Sequence, residues 1–251
     1  MTGGGMASSG GASPMRIETL PDAGAVAARA ARWLAEAARE AVEARGRFTL
    51  ALSGGRTPWQ MLRALADEPV PWAKVHLFQV DERVAPPGHP DRNLTHIRES
   101  LLGTAGALQA TLHPMPVEEE DLAVAAARYQ RELEAVAGAP AILDAVQLGL
   151  GPDGHTASLV PGDPALDVLE SDVAVTGSYA GRVRMTLTYP SLDRARARLF
   201  VVTGPEKARV LPRLVAGDPS IPAGRVSTLR TLVLADADAA VALWADAQGR
   251  P

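Results

Sequence analysis

Short apolar runs alternate with amphipathic segments along this chain, and most of the runs end abruptly in glycines or charged residues. Phe48–Leu52, Val75–Val80, Ala145–Leu150, Leu199–Thr203 and Thr231–Leu234 read as buried strands. The first helix is predicted over Asp22–Ala44, where Val26, Ala30, Trp33, Leu34, Ala37 and Ala41 share one face. A second runs to about Asp67, with Thr57 as its N-cap and Pro58 at the first helical position. Further helices are predicted over Asn93–Leu102, up to Val136 behind the acidic run Glu118–Asp121, from Gly204 to Val215, and from an Asp236 N-cap to Gln248. The acidic run reads as a solvated helix N-terminus favoured by the helix dipole. Val173–Val175 and Val183–Thr188 read as strands in a less regular middle third. Such alternation predicts an α/β protein: a mostly parallel, Rossmann-like sheet with helices on both faces.

A chain of 251 residues, 47% of them apolar, can bury roughly 70–75% of its unfolded surface in one large core. No repeat or linker divides it, so residues 15–251 are read as a single domain. Met1–Pro14, with neither the basic start nor the apolar centre of a signal peptide, is read as a disordered tail. The lack of cysteine excludes a disulfide scaffold, a thiol nucleophile and a Cys-ligated zinc site. No pair of histidines has metal-ligand spacing, so neither a metal nor another cofactor is expected. A net charge of −4 and an aromatic content of 4% argue against nucleic-acid or membrane-surface partners. No apolar run approaches the ~18–20 residues of a spanning helix. The expectation is a cytoplasmic enzyme, a monomer or weak dimer.

Four polar or glycine clusters follow predicted strands: Ser53–Arg56, Asp81–Arg83, Gly149–His155 and Gly204–Lys207. In open α/β sheets ligands bind beyond the carboxyl ends of strands, which places all four at one edge. Ser53-Gly54-Gly55, between a strand and a helix, suits a single phosphate or carboxylate, because bare amides and the helix dipole favour an anion there. Gly149-Leu150-Gly151-Pro152-Asp153-Gly154 matches G-x-G-x-x-G, but mid-chain and with Asp153 against the pyrophosphate position it is no dinucleotide fingerprint. It offers Asp153 and His155 instead, a carboxylate able to orient a general base. Of the five histidines, His155 alone has this setting by sequence; His76 reads as sheet, and His89, His96 and His113 as loop residues without a carboxylate pattern. Of 25 cationic residues only Lys74 and Lys207 are lysines. Lys207, read as lying in the first turn of a helix, opposes the dipole there unless an anion compensates, which points to a phosphate. With Arg184 it completes the cationic set. The residues thus describe an enzyme for a small anionic substrate.

The ordered motifs SGGRTP, VDER, GLGPDGHTASLVPG, RVRMTLTYPSL and GPEKARVL resemble the 6-phosphogluconolactonase family, over about Ala25–Gln248. The broader superfamily includes glucosamine-6-phosphate deaminase/isomerase, which shares the glycine loop but continues after the His with Phe-Asn-Glu. This chain has Ser158-Leu159-Val160-Pro161-Gly162, as the lactonases do. The resemblance implies hydrolysis of 6-phospho-D-glucono-1,5-lactone, the second step of the pentose phosphate pathway. It makes His155 the base that activates water, Asp153 its orienting partner, and Asp81 and Arg83 residues that line the site. It implies that Ser53, Gly54, Gly55, Arg184 and Lys207 hold the 6-phosphate. Arg56 stands where many relatives carry Ser or Thr, and is a further candidate for the phosphate. Arg92-Asn93 replaces the usual Ser-Asn. Arg184, directly before Met-Thr-Leu-Thr, fits the motif better than Arg182. The alternatives are the deaminase/isomerase and a non-catalytic phosphosugar-binding module; modules of that kind usually carry a DNA-binding segment, which the residues before Pro21 are read as too few and too unpatterned to form.

Overall fold

The computed structural model describes residues 14–245, so most of the predicted tail and the end of the last predicted helix lie outside the described residues. Ten strands and seven helices are present among them: β1 (Arg16–Leu20), α1 (Ala23–Arg45), β2 (Phe48–Leu52), α2 (Arg56–Ala66), β3 (Val75–Gln79), β4 (Asp81–Arg83), α3 (Asn93–Ser100), β5 (Thr111–His113), α4 (Leu122–Ala137), β6 (Ala145–Leu148), β7 (Val173–Val175), β8 (Arg184–Leu187), α5 (Tyr189–Arg194), β9 (Arg198–Val202), α6 (Leu211–Val215), β10 (Thr231–Asp236) and α7 (Ala237–Ala245). Seven strands form one sheet in the order β1-β10-β9-β6-β2-β3-β5, with every pairing parallel. A second sheet, β4-β8-β7, is antiparallel.

Alternation along the strands divides the core in two. Leu50, Leu52, Leu77, Leu199, Val201, Leu232 and Leu234 pack with α1 and α2 on one face. Ala51, Phe78, Val146, Leu148, Phe200, Val202 and Val233 face α4, α5 and the small sheet on the other. The predicted parallel sheet covered on both faces is what the chain forms. α1 begins where predicted, with the Asp22 carboxylate accepting from Ala25 N at 2.8 Å, and ends at a left-handed Gly46.

Several expectations need correction. The N-cap of α2 is Gly55, not Thr57; Pro58 lies inside the first turn, where no intrahelical N–H is needed. The segment after Gly204 forms a 3₁₀ turn, Pro205–Lys207, and the helix α6 begins only at Leu211. Lys207 therefore closes a short turn and does not oppose a helix dipole. Asp81–Arg83, expected as a polar cluster at the end of the preceding strand, forms a short strand of its own in the second sheet. The acidic run is only partly solvated: Asp121 caps α4 through Ala123 N and Val124 N, Glu118 pairs with Arg92 at 2.7 Å, and Glu119 pairs with Arg128.

β2 is where the strand order reverses: the chain passes outward through β3 and β5 on one side, then returns to lay β6, β9 and β10 on the other. The β2–β6 ladder joins only Leu50 to Ala145 and Ala51 to Val146, so the carboxyl ends of the two strands part. Such a switch point opens a crevice in which α/β folds bind ligands.

Candidate active site

Both loops leaving that crevice carry glycines whose missing side chains are required. A Cβ on Gly54, after β2, would lie 1.8 Å from Asn93 Oδ1. A Cβ on Gly151, after β6, would lie 2.1 Å from His155 Nδ1 and 2.6 Å from Asp153 Oδ1. Only glycine lets the backbone pass this close to working side chains.

The Gly151 turn, closed by Gly151 N–H donating to His155 O, brings Asp153 and His155 together. His155 Nδ1 sits 2.6 Å from Asp153 Oδ1, and the same oxygen accepts from His155 N at 3.2 Å. Tyr179 OH donates to the other carboxylate oxygen at 3.1 Å, and its ring meets the His155 ring edge-on at 5.5 Å. Burial pushes the Asp153 carboxyl up, but the His155 ring and the hydrogen bonds from His155 and Tyr179 outweigh it and hold the group below its ordinary value. An ionised carboxylate only accepts, so the proton between the two residues rests on Nδ1, and in the neutral form of the ring the free lone pair is the one on Nε2.

A polar chain lines the cavity beside this pair. Asp81 Oδ2 accepts from Ser158 Oγ at 2.6 Å, and Asp81 Oδ1 from Asn93 Nδ2 at 3.2 Å. Arg83 Nη1 donates to Asn93 Oδ1 at 2.9 Å, and Arg184 Nη1 reaches Ser158 Oγ at 3.5 Å. Ser53, Gly54, Asp81, Arg83, His155, Arg184 and Lys207 all border one cavity. Gly55 and Arg56 do not; they border the adjoining part of the cleft, which shares Gly54, Gly149 and Lys207 with the first. Arg182 is drawn away to Asp91, at 2.9 Å.

The cavity is charged in a way that invites an anion. Arg184 is buried, its Nε has no partner among the described residues, and burial followed by the nearby Arg83 lowers its affinity for its proton. Arg83 Nε is likewise without a partner among the described residues, where the mostly buried Lys207 side chain has only Glu206, at 3.6 Å, for a counter-ion. The Ser53 amide is occupied by Gln147 Oε1 at 3.1 Å, whereas Gly54 and Gly55 N–H have no partner among the described residues. Three cations and the Gly54 amide thus border the cavity with His155, and the Gly55 amide borders the adjoining part of the cleft.

Asp81, Glu82 and Arg83, adjacent in sequence, separate in role. Glu82 is fully buried and accepts from Gln79 Nε2, Arg83 N, Asn93 N and Leu94 N, each at 2.8 Å, while facing Arg92 Nε at 3.1 Å. It anchors α3 and with it Asn93. Ser158, Tyr179 and Gln147 were not picked out as site residues by sequence. Ser158 lies within the motif that carries the His, but Tyr179 sits in an unpatterned hairpin and gives no such signal. The reading of His155 as the one histidine set against a carboxylate also fails: β5 and α4, brought together by the fold, place His113 Nδ1 2.6 Å from Glu132. Among the described residues no group of three or more His, Asp or Glu side chains is placed to hold a metal ion, and no helix is long and apolar enough to cross a membrane.

Residues 21–234 match the model of a family described as glucosamine-6-phosphate isomerases/6-phosphogluconolactonase. A 6-phosphogluconolactonase of Mycobacterium tuberculosis is 40% identical over 243 residues, covering 90% of this chain and 98% of its own. One from Nostoc sp. is 38% identical over 204 residues, covering 80% and 85%. A solved 6-phosphogluconolactonase structure from Thermotoga maritima superposes with a TM-score of 0.77 at 27% identity, covering 88% of this chain and 99% of that one.

Proposed function

This chain belongs to the glucosamine-6-phosphate isomerase/6-phosphogluconolactonase family, and from that membership and its site we propose that it is a 6-phosphogluconolactonase in which His155 activates the attacking water. It hydrolyses 6-phospho-D-glucono-1,5-lactone to 6-phospho-D-gluconate. The observation that supports the chemistry best is that His155, hydrogen-bonded to Asp153, borders one cavity with Arg83, Arg184 and Lys207.

A δ-lactone is an activated ester, so a positioned water with a base beside it suffices and no covalent intermediate is needed. Water held at His155 Nε2 gives up its proton as its oxygen attacks the lactone carbonyl. The imidazolium then returns a proton to the departing ring oxygen, while Asp153 keeps the ring oriented and stabilises its charged form. Lys207, Arg184 and the amides of Gly54 and Gly55 hold the 6-phosphate, with Ser53 and Arg56 at its margin. Asp81 and Arg83 line the sugar side. Phosphate contacts supply orientation as well as affinity, since they fix where the carbonyl sits relative to His155. Nothing in this chemistry calls for a metal or cofactor. We further read the protein as cytoplasmic, a monomer or weak dimer, with residues 15–251 as one domain.

The test is a coupled assay in which glucose-6-phosphate dehydrogenase generates the lactone and its disappearance is followed with and without the protein. Acceleration over spontaneous hydrolysis, with no ammonia released from glucosamine 6-phosphate, is the expected result. Lactone decay at the spontaneous rate would overturn the reading.

A further inference from the structure

Tyr179 is bound on both sides to groups of the proposed mechanism, yet it belongs to no motif. It lies on a hairpin joining β7 to β8, closed by Tyr179 N–H to Arg182 O at 2.9 Å and Arg182 N–H to Tyr179 O at 3.2 Å. The two residues at its tip, Ala180 and Gly181, have φ of 50° and 78°, the left-handed conformation that a two-residue hairpin turn requires. Arg182 ties this tip to Asp91. The hairpin is thus fastened at its tip, and the half-buried Tyr179 reaches Asp153 and His155 from a fixed base.

Its hydroxyl donates to Asp153 Oδ2, leaving Oδ1 to His155. Its ring carries the Arg184 guanidinium 5.0 Å from the centroid, and its carbonyl accepts from Arg184 Nη2 at 3.4 Å. We propose that Tyr179 is a positioning residue that couples the anion-binding Arg184 to the His155–Asp153 pair. The proposal rests on the lactonase reading above. A carboxylate that shares its charge with a phenol O–H pulls less strongly on the imidazole, so the Tyr179 hydroxyl weakens the hold of Asp153 on the proton of His155. The other charged groups bordering the cavity are Asp81 and Arg83 on β4, Arg184 on β8 and Lys207 on the 3₁₀ turn after β9, with Asp91 behind Arg184. None of the four that border the cavity is removed by changing Tyr179, and each is common to wild type and variant.

Two variants separate the hydroxyl from the ring. Tyr179→Phe keeps the platform under Arg184 and removes the donor to Asp153. The acid limb of its pH–kcat profile is expected to move upward by about half a unit, roughly threefold in proton affinity, with KM unchanged. The His155 ring resonances, titrated by NMR, are expected to shift in the same direction. Tyr179→Leu is expected to raise KM as well, by roughly two- to fivefold, through loss of the cation–π contact. An acid limb and ring titration superimposable on wild type in Tyr179→Phe, or equal KM in the two variants, would overturn the coupling. Failure of the lactonase reading shows differently, as wild-type protein that does not accelerate lactone decay; the NMR titration still reads the role of Tyr179 in that event.

Discussion

A single hydrogen at Gly151 decides whether His155 and Asp153 can meet. Replacing it with a methyl group puts carbon 2.1 Å from His155 Nδ1, well inside van der Waals contact. Gly151→Ala is therefore expected to push the ring off its partner and lower kcat by roughly tenfold or more, with the thermal unfolding midpoint nearly unchanged; kinetics and a melting curve on the same sample check both halves. Lys207→Ala should act on the other side of the cavity. It removes a cation from the proposed phosphate site and is expected chiefly to raise KM in steady-state assays, and an unchanged KM would remove Lys207 from that site. At this scale the sequence was legible where bonded partners are neighbours. Asp153 and His155 are two residues apart, and glycines on both sides mark their turn. Ser158 meets Asp81 across 77 residues and Tyr179 meets Asp153 across 26, and no local pattern reports such a contact. Position 207 was found for a reason that does not hold: Lys207 borders the cleft because the turn after β9 points there, not because it begins a helix.

Among the elements, β4 and the start of α3 share a buried ion pair. Glu82 satisfies three backbone amides and a glutamine while facing Arg92, and both side chains are almost completely buried. Glu82→Ala would leave Arg92 with only the half-exposed Glu118 as counter-ion among the described residues, and the first turn of α3 without its acceptor. Loss of one partner of a buried pair costs about 3–5 kcal/mol, and chemical denaturation should show a drop of that order. A loss below about 1 kcal/mol, the worth of an exposed pair, would contradict this view of α3. The long elements were plain in the sequence because their burial is regular: every residue of β2 and β9 is buried, and α1 turns one apolar stripe inward. β1 and β5 were missed for the opposite reason. They are the two edge strands, β1 has no fully buried residue, and β5 has three residues of which one is buried. β4 reads in the sequence as a charged cluster at the end of the preceding strand, because its two buried residues are Asp81 and Glu82, whose burial depends on partners outside the strand.

For the molecule as a whole, the reversal of strand order at β2 does what no motif does alone. It sets the Ser53 and Gly149 loops beside one another, and the small antiparallel sheet brings Asp81, Arg83 and Arg184 over the same crevice. Four clusters at strand ends could be assigned to one edge from the sequence, but the second sheet could not. Its three strands pair antiparallel, outside the alternation that revealed the first. A net charge of −4 likewise hides the local excess of arginine and lysine in the cleft. We propose His155 as the base that makes this cation-lined crevice a hydrolytic site. Steady-state hydrolysis of 6-phosphogluconolactone by His155→Ala tests that most directly. The expected result is a kcat lower by roughly 10²-fold or more with KM little changed, since the phosphate contacts survive; turnover close to that of the wild type would contradict the account.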